Sequence, residues 1–219
     1  MTVSSQSLKQ LSLFPLRLTK PTSQPTSVSE VLVSEHVYRK FRVKGKSIVF
    51  RSMAWNDLDK LLAFINGLVD DKQRGRGSEV FTGFEQKITR EEEADWLANR
   101  MVRIENGDMV SVLAEVGKRI VASGDIAKGH YRETRYHGEL GLTVIAAYRG
   151  LGIGREMVKV LVREAKRIGL RSLEVEFLST NQAAIRTYQK AGFREVGRIP
   201  AKVKRNGKFL DSMIMARQI

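Results

Sequence analysis

Residues 140–164, LGLTVIAAYRGLGIGREMVKVLVRE, join an apolar stretch, a loop with three glycines and a segment whose apolar residues fall at helical spacing. Leu140-Gly141-Leu142-Thr143-Val144 reads as a strand, and Met157, Val158, Leu161, Ala165 and Ile168 recur on one face of a helix. Glycine lets backbone N–H groups converge without a Cβ in the way, and the positive end of the helix dipole points at the same place. The loop is therefore a candidate phosphate cradle. A strand-to-helix turn that takes glycine for steric reasons alone is the plainer reading.

Three nucleotide patterns compete for such a loop. A P-loop is excluded, because Gly154 is followed by Arg155-Glu156 where Lys-Ser/Thr is required. A dinucleotide fingerprint would use Glu174, about 20 residues beyond Gly154, but Gly150, Gly152 and Gly154 alternate and do not follow GxGxxG. The third fits. Arg149-Gly150-Leu151-Gly152-Ile153-Gly154 resembles the Arg/Gln-x-x-Gly-x-Gly/Ala pyrophosphate loop of the GNAT superfamily of acyl-CoA N-acyltransferases. The later segment from Asn181 through Ala184, Tyr188 and Gly192-Phe193 resembles that family's Asn-x-x-Ala-x-x-x-Tyr-x-x-x-Gly-Phe signature. The resemblance covers roughly Val49 to the C-terminus and is strongest from His137 to Gly197, where it is similar to acetyltransferases of ribosomal-protein N-terminal alanines.

Order along the chain supports one folded domain. Residues 1–30 carry Pro15, Pro21 and Pro25 among many Ser and Thr, and read as a flexible extension. Residues 31–46 are an unassigned segment that can supply an extra strand; residues 47–219 form the domain. Within it, Ile48-Val49-Phe50 is a first strand, and Asn56 with Asp59 caps a helix carrying Leu58, Leu61, Leu62 and Ile65. Residues 70–87 are loop-like, and the resemblance implies that they border the acceptor. Thr89 to Glu92 forms a capping box for a second helix. A hairpin across Gly117-Lys118, a strand from His137, the glycine-loop helix, a strand over residues 173–177, a short helix from Asn181 and a final hairpin at Asn206-Gly207 follow. The fold class is α/β (α+β). The GNAT resemblance implies a mixed, mostly antiparallel sheet of six to seven strands with helices on both faces.

Composition narrows the chemistry. The chain has no cysteine, which excludes disulfides, thiolate metal sites and an acyl-cysteine relay. His36, His130 and His137 show no metal-ligand spacing, so no metal is expected. No apolar run approaches membrane-spanning length and no signal sequence is evident, so a cytoplasmic location without membrane association is expected. The net charge of +14 suits an anionic cofactor or an acidic protein or peptide; a nucleic-acid partner is compatible but not favoured. A solvated basic surface explains the charge equally well. A homodimer is left open.

The resemblance implies acetyl-CoA as co-substrate and a primary amine as acceptor. Leu142, Thr143 and Val144 would bond the pantetheine arm through their main chain. Arg149, Gly150, Leu151, Gly152, Ile153, Gly154 and Arg155 would hold the pyrophosphate, and Asn181 would contact the cofactor or cap its helix. Tyr188 would donate a proton to the departing thiolate. Glu176, five residues before Asn181, matches the catalytic glutamate of the ribosomal-protein enzymes, and Glu139 on the central strand is the second candidate base. Either carboxylate could instead be a solvent-facing strand residue in a salt bridge. The alternative function is a CoA-binding or nucleic-acid-binding regulatory module that keeps the scaffold without transferase activity.

Overall fold

The computed structural model describes residues 35–76 and 85–219. The N-terminal extension and the centre of the expected acceptor loop lie outside the described residues. Twelve elements follow in order: β1 (Val37–Val43), β2 (Lys46–Arg51), α1 (Leu58–Gln73), α2 (Arg90–Glu105), β3 (Met109–Val116), β4 (Arg119–Lys128), β5 (His137–Val144), α3 (Ile153–Arg167), β6 (Ser172–Leu178), α4 (Gln182–Lys190), β7 (Arg194–Arg205) and β8 (Lys208–Gln218). From β2 onward this is the order read from the sequence.

The strands form one sheet in the order β1-β2-β3-β4-β5-β6-β8-β7. All neighbours are antiparallel except β5 and β6. Eight strands correct the expected six to seven. The additional one is β1, which pairs along the outer edge of β2 and sets Phe41 edge-on against buried Phe50 at 5.1 Å. It lies within residues 31–46, the segment read as able to supply an extra strand, although VYRKFRV alternates too weakly to fix its bounds.

Successive residues of β4 reveal the two layers, because strand side chains alternate between faces. Beside Gly124 lie Leu161 and Met157 of α3, whereas the next side chain, Asp125, bonds Arg100 of α2. Helices α1 and α2 therefore cover one face. Helices α3 and α4 cover the other, where Tyr188 stacks on Phe177 of β6. Both faces of β3 and β4 are consequently apolar and buried, including Val112, Leu113, Val121, Ala122 and Ile126.

Local signals account for several boundaries. The capping box forms as read: Glu92 N–H donates to Thr89 Oγ1 at 3.2 Å, and Thr89 N–H donates to Glu92 Oε2 at 2.7 Å. The Asn56 cap does not form. A short turn over Trp55–Asp57 precedes α1, and buried Asp57 accepts the Ala54 N–H at 2.9 Å. Arg51 explains the difference, since its guanidinium grips both Asp57 oxygens at 2.7 Å and Glu115 of β3 at 2.6 Å. That buried network pins β2 to both α1 and β3. Among the described residues no helix is long and apolar enough to cross a membrane.

Glu93 stands apart inside α2. It is buried, its Oε1 has no hydrogen-bond partner, and burial pushes its carboxyl up to about 7 despite the opposing pull of Arg100. A folded pKa above the ordinary 4.5 means that the unfolded chain ionises first, so stability declines as pH rises from about 4.5 to about 7. Glu93→Gln should remove that loss. In thermal melts the variant should match the parent at pH 4 and exceed it at pH 7.5 by on the order of 5 °C.

Candidate active site

Strands β5 and β6 run parallel but pair only over His137–Glu139 against Ser172–Glu174. Beyond those residues β5 stays with β4 as far as Val144, and β6 stays with β8 as far as Leu178, so the two strands part. Ile145 N–H donates to Val121 O, which makes Val144 and Ala122 a non-hydrogen-bonded pair. By alternation the peptide groups of Leu142 and Val144 face away from β4, into the gap. Arg149 Nε donates to the Val144 carbonyl at 2.9 Å.

The gap opens into a cleft of about 720 Å³. Its walls are residues 140–144 of β5 and residues 175–177 of β6; its other side is the start of α3 and the inner face of α4. Gly152 opens α3 at φ 80°, a left-handed conformation that favours glycine, and Gly150 has φ 72°. No side chain caps the helix. Its first internal bond comes from Glu156 N–H to Gly152 O, which leaves the N–H groups of Ile153, Gly154 and Arg155 free of backbone partners. The cations Arg149, Arg155, Arg186 and Lys190 line the same cleft. A helix terminus and four positive side chains together suit an anion.

The cleft gathers Leu142, Thr143, Val144, Arg149, Gly150, Gly152, Ile153, Gly154, Arg155, Asn181, Glu176 and Tyr188. Two expected residues stand elsewhere. Leu151 turns its side chain toward the core, and Glu139 is exposed at the last paired position of β5, outside the lining. Asn181 caps α4, its Oδ1 accepting the Ala184 N–H at 3.0 Å.

Tyr188 is buried between Phe177, stacked at 5.4 Å, and Phe193, edge-on at 5.5 Å. Burial, reinforced by the charge of Asp125, pushes its hydroxyl well above the ordinary value, so it stays protonated. Glu176 behaves differently. Lys202 Nζ donates to both its oxygens, one at 2.6 Å. Partial burial raises the Glu176 carboxyl, and the bonded ammonium more than reverses this, leaving it below the usual range. Glu174 approaches His137 Nε2 at 3.3 Å, while no hydrogen bond or ion pair engages Glu139 among the described residues.

Two residues that the sequence reading missed act on cleft residues from outside the lining, Lys202 on Glu176 and Asp125 on Tyr188. Lys202 arrives through an irregularity of β7 between Ile199 and Val203, where Ala201 has φ 53°, and no local pattern signals it. Asp125 sits on the α2 side of β4, with Oδ2 accepting from Arg100 Nη1 at 2.6 Å. A charge inside the apolar run from Ile120 to Ile126 was its available signal.

Comparison with known proteins agrees with this geometry. The model of the Acetyltransferase (GNAT) family matches residues 77–193. The L-methionine sulfoximine/L-methionine sulfone acetyltransferase of Salmonella typhimurium (strain LT2) is 30% identical over 102 residues, covering 45% of this chain and 60% of the relative. The structure of ribosomal-protein-alanine N-acetyltransferase from Brucella melitensis superposes with a TM-score of 0.65 at 25% identity, covering 78% of this chain and 99% of the other. A phosphinothricin acetyltransferase from Sinorhizobium meliloti, in complex with acetyl-CoA, gives 0.66 at 20% identity, covering 78% and 88%. The expected fold is thereby confirmed.

The Lys202–Glu176 pair can be tested in isolation. Lys202→Met should raise the Glu176 carboxyl pKa, read from its side-chain carbon shift in an NMR titration, because the partner that lowers it is gone.

Proposed function

Because the chain belongs to the GNAT acetyltransferase family, we propose that it transfers the acetyl group of acetyl-CoA to a small primary amine by direct attack in a ternary complex. The observation that carries this reading is the parting of β5 and β6 beside Tyr188, with the open N-terminus of α3 facing the same cleft. The lining suits acetyl-CoA: free N–H groups and four cations for phosphates, and unpaired strand peptides for an amide-bearing arm. Acetyl-CoA, when bound, supplies the acyl thioester.

The chain's own residues would divide the work as follows. The main chain of residues 151–154, with Arg149 and Arg155, holds the pyrophosphate. Leu142 and Val144 pair with the pantetheine arm, and an N–H near Val144 polarises the carbonyl. Arg149 leaves the Val144 carbonyl as the arm arrives. Tyr188, protonated in its apolar surroundings, gives its proton to the departing sulfur. No cysteine exists to carry the acetyl group, which favours direct attack by the amine.

Proton removal from the amine separates the two carboxylates. Glu176 is held by Lys202 and is a weakened base, so Glu139, unpaired and on the same strand face as Gly141, is the better acceptor, acting through water. An α-amine of pKa about 7.8 needs only about 1 kcal/mol to be neutralised at pH 7, against roughly 4 to 5 for a lysine. One exposed carboxylate suits the easier task. The named relatives act on amino-acid-like amines or a protein's N-terminal alanine, which also favours an α-amine. The +14 charge does not argue for an acidic acceptor, because the strand face toward α1 and α2 carries Asp125, Glu139, Glu174 and Glu176.

Release of CoA should be measured with acetyl-CoA and L-methionine sulfone, an alanyl dipeptide amide, a lysine peptide and spermidine. At least one α-amine should be acetylated; no transfer to any of the four overturns the proposal. Tyr188→Phe and Glu139→Gln should each lower kcat by about 10²- to 10⁴-fold while acetyl-CoA affinity changes little. Unchanged turnover would remove that residue's role.

A further inference from the structure

Three cation–carboxylate pairs around the sheet compare directly: two engage both carboxylate oxygens and one engages a single oxygen. Asp57 has both oxygens on Arg51, and Glu176 has both on Lys202. Asp125 has Oδ2 on Arg100 at 2.6 Å, while Oδ1 has no partner among the described residues. Its side chain is only 19% exposed.

The direction of the free oxygen follows from the register. Asp125 pairs with Gly141 across β4 and β5, and both face the α1–α2 side. Oδ1 lies 3.3 Å, and the carboxyl carbon 3.9 Å, from the point where a Cβ on Gly141 would stand. The carboxylate thus overhangs the bare backbone of Gly141, which lines the cleft. Its charge also reaches the Tyr188 hydroxyl on the far side of the sheet. Continuing the β5–β6 register from Glu139 and Glu174 sets Gly141 level with Glu176 across the gap. Gly141 therefore connects the cleft, which it lines, to the face opposite α3, where Asp125 Oδ1 stands over it.

We propose that Asp125 is the residue that binds the acceptor's ammonium group, Oδ1 accepting an N–H hydrogen bond above Gly141 while Arg100 holds Oδ2. This rests on the acetyl transfer proposed above and adds how the amine is chosen. Arg100 is a positioning residue: it is stacked on Trp96, 4.6 Å from the ring centre, and fixes the carboxylate's orientation. Burial raises the Asp125 carboxyl against the pull of Arg100, and a bound ammonium would add to that pull and favour the carboxylate. Gly141 belongs to the same device, because any larger residue would bring a Cβ against Oδ1. A neutral isostere of the amine, such as the corresponding alcohol, would give Asp125 no cation and be rejected.

The test uses the full chain and whichever of the four amines the parent acetylates fastest. Asp125→Asn keeps the shape and removes the charge. It should raise KM for the amine by about 10- to 100-fold, the weight of one charge-assisted hydrogen bond, while the acetyl-CoA Kd from calorimetry stays within about twofold. Gly141→Ala, which keeps the carboxylate and its Arg100 bond, should raise the same KM and guards against misfolding of the first variant. In competition assays the parent should ignore the alcohol analogue. An unchanged amine KM in a folded Asp125→Asn protein overturns the proposal, and so does a parallel loss of melting temperature and acetyl-CoA affinity, which marks a structural residue. If the parent acetylates none of the four amines, the transferase reading itself fails, an outcome separate from either result.

Discussion

The parting of β5 from β6 is the constraint on which the site depends. A parallel pair that ends after three residues leaves a row of strand peptides without partners, and such groups are costly unless water or a ligand meets them. The sheet keeps the gap open from both sides: β4 holds β5 through Val144, and β8 holds β6 through Leu178. Tyr188 stacked on Phe177 adds α4 to the β6 side, which fixes the phenol against that wall.

Helix α3 can aim its N-terminus at that gap because two strand positions lack a side chain. A Cβ on Gly124 would come within 2.9 Å of Leu161, and one on Gly138 within 2.7 Å of Ile126 and Leu170. These close approaches let the helix settle against β4 and β5, with Met157, Val158 and Leu161 fully buried. The amphipathic pattern of α3 thus does two things: it supplies the core under the sheet and fixes where its unpaired N–H groups point.

Much of this was legible in residues 140–193, since a strand, a glycine loop and a helix are local patterns that tertiary packing here reinforces. The Thr89–Glu92 box and the Asn206-Gly207 turn were readable for the same reason: their bonds lie within a few residues. What escaped depended on distant partners. Asn56 has the chemistry of a cap, yet Arg51, reaching from β2, draws Asp57 inward and moves the start of α1. Lys202 meets Glu176 only through an irregular β7, so no spacing could pair them. Strand β1 was readable only as an extra strand somewhere in residues 31–46, because it takes its face from β2 and lacks a period of its own. Asp125 was visible as a charge among apolar neighbours, but its relation to Gly141 needs the register of two strands.

Net charge gave a broad hint, and its distribution is the sharper fact. Arg149, Arg155, Arg186 and Lys190 line the cleft where α3 and α4 meet it, while Asp125, Glu139, Glu174 and Glu176 share the strand face toward α1 and α2. Lys202, His137 and Arg100 engage three of those carboxylates, which leaves Glu139 as the one without a hydrogen bond or ion pair among the described residues. On the proposed reading, an anionic donor would meet the basic lining and a cationic amine the carboxylate-bearing face. Gly141 belongs to both, lining the cleft while the Asp125 carboxylate overhangs its backbone. A protein with this arrangement can be strongly basic overall and still favour a positively charged acceptor.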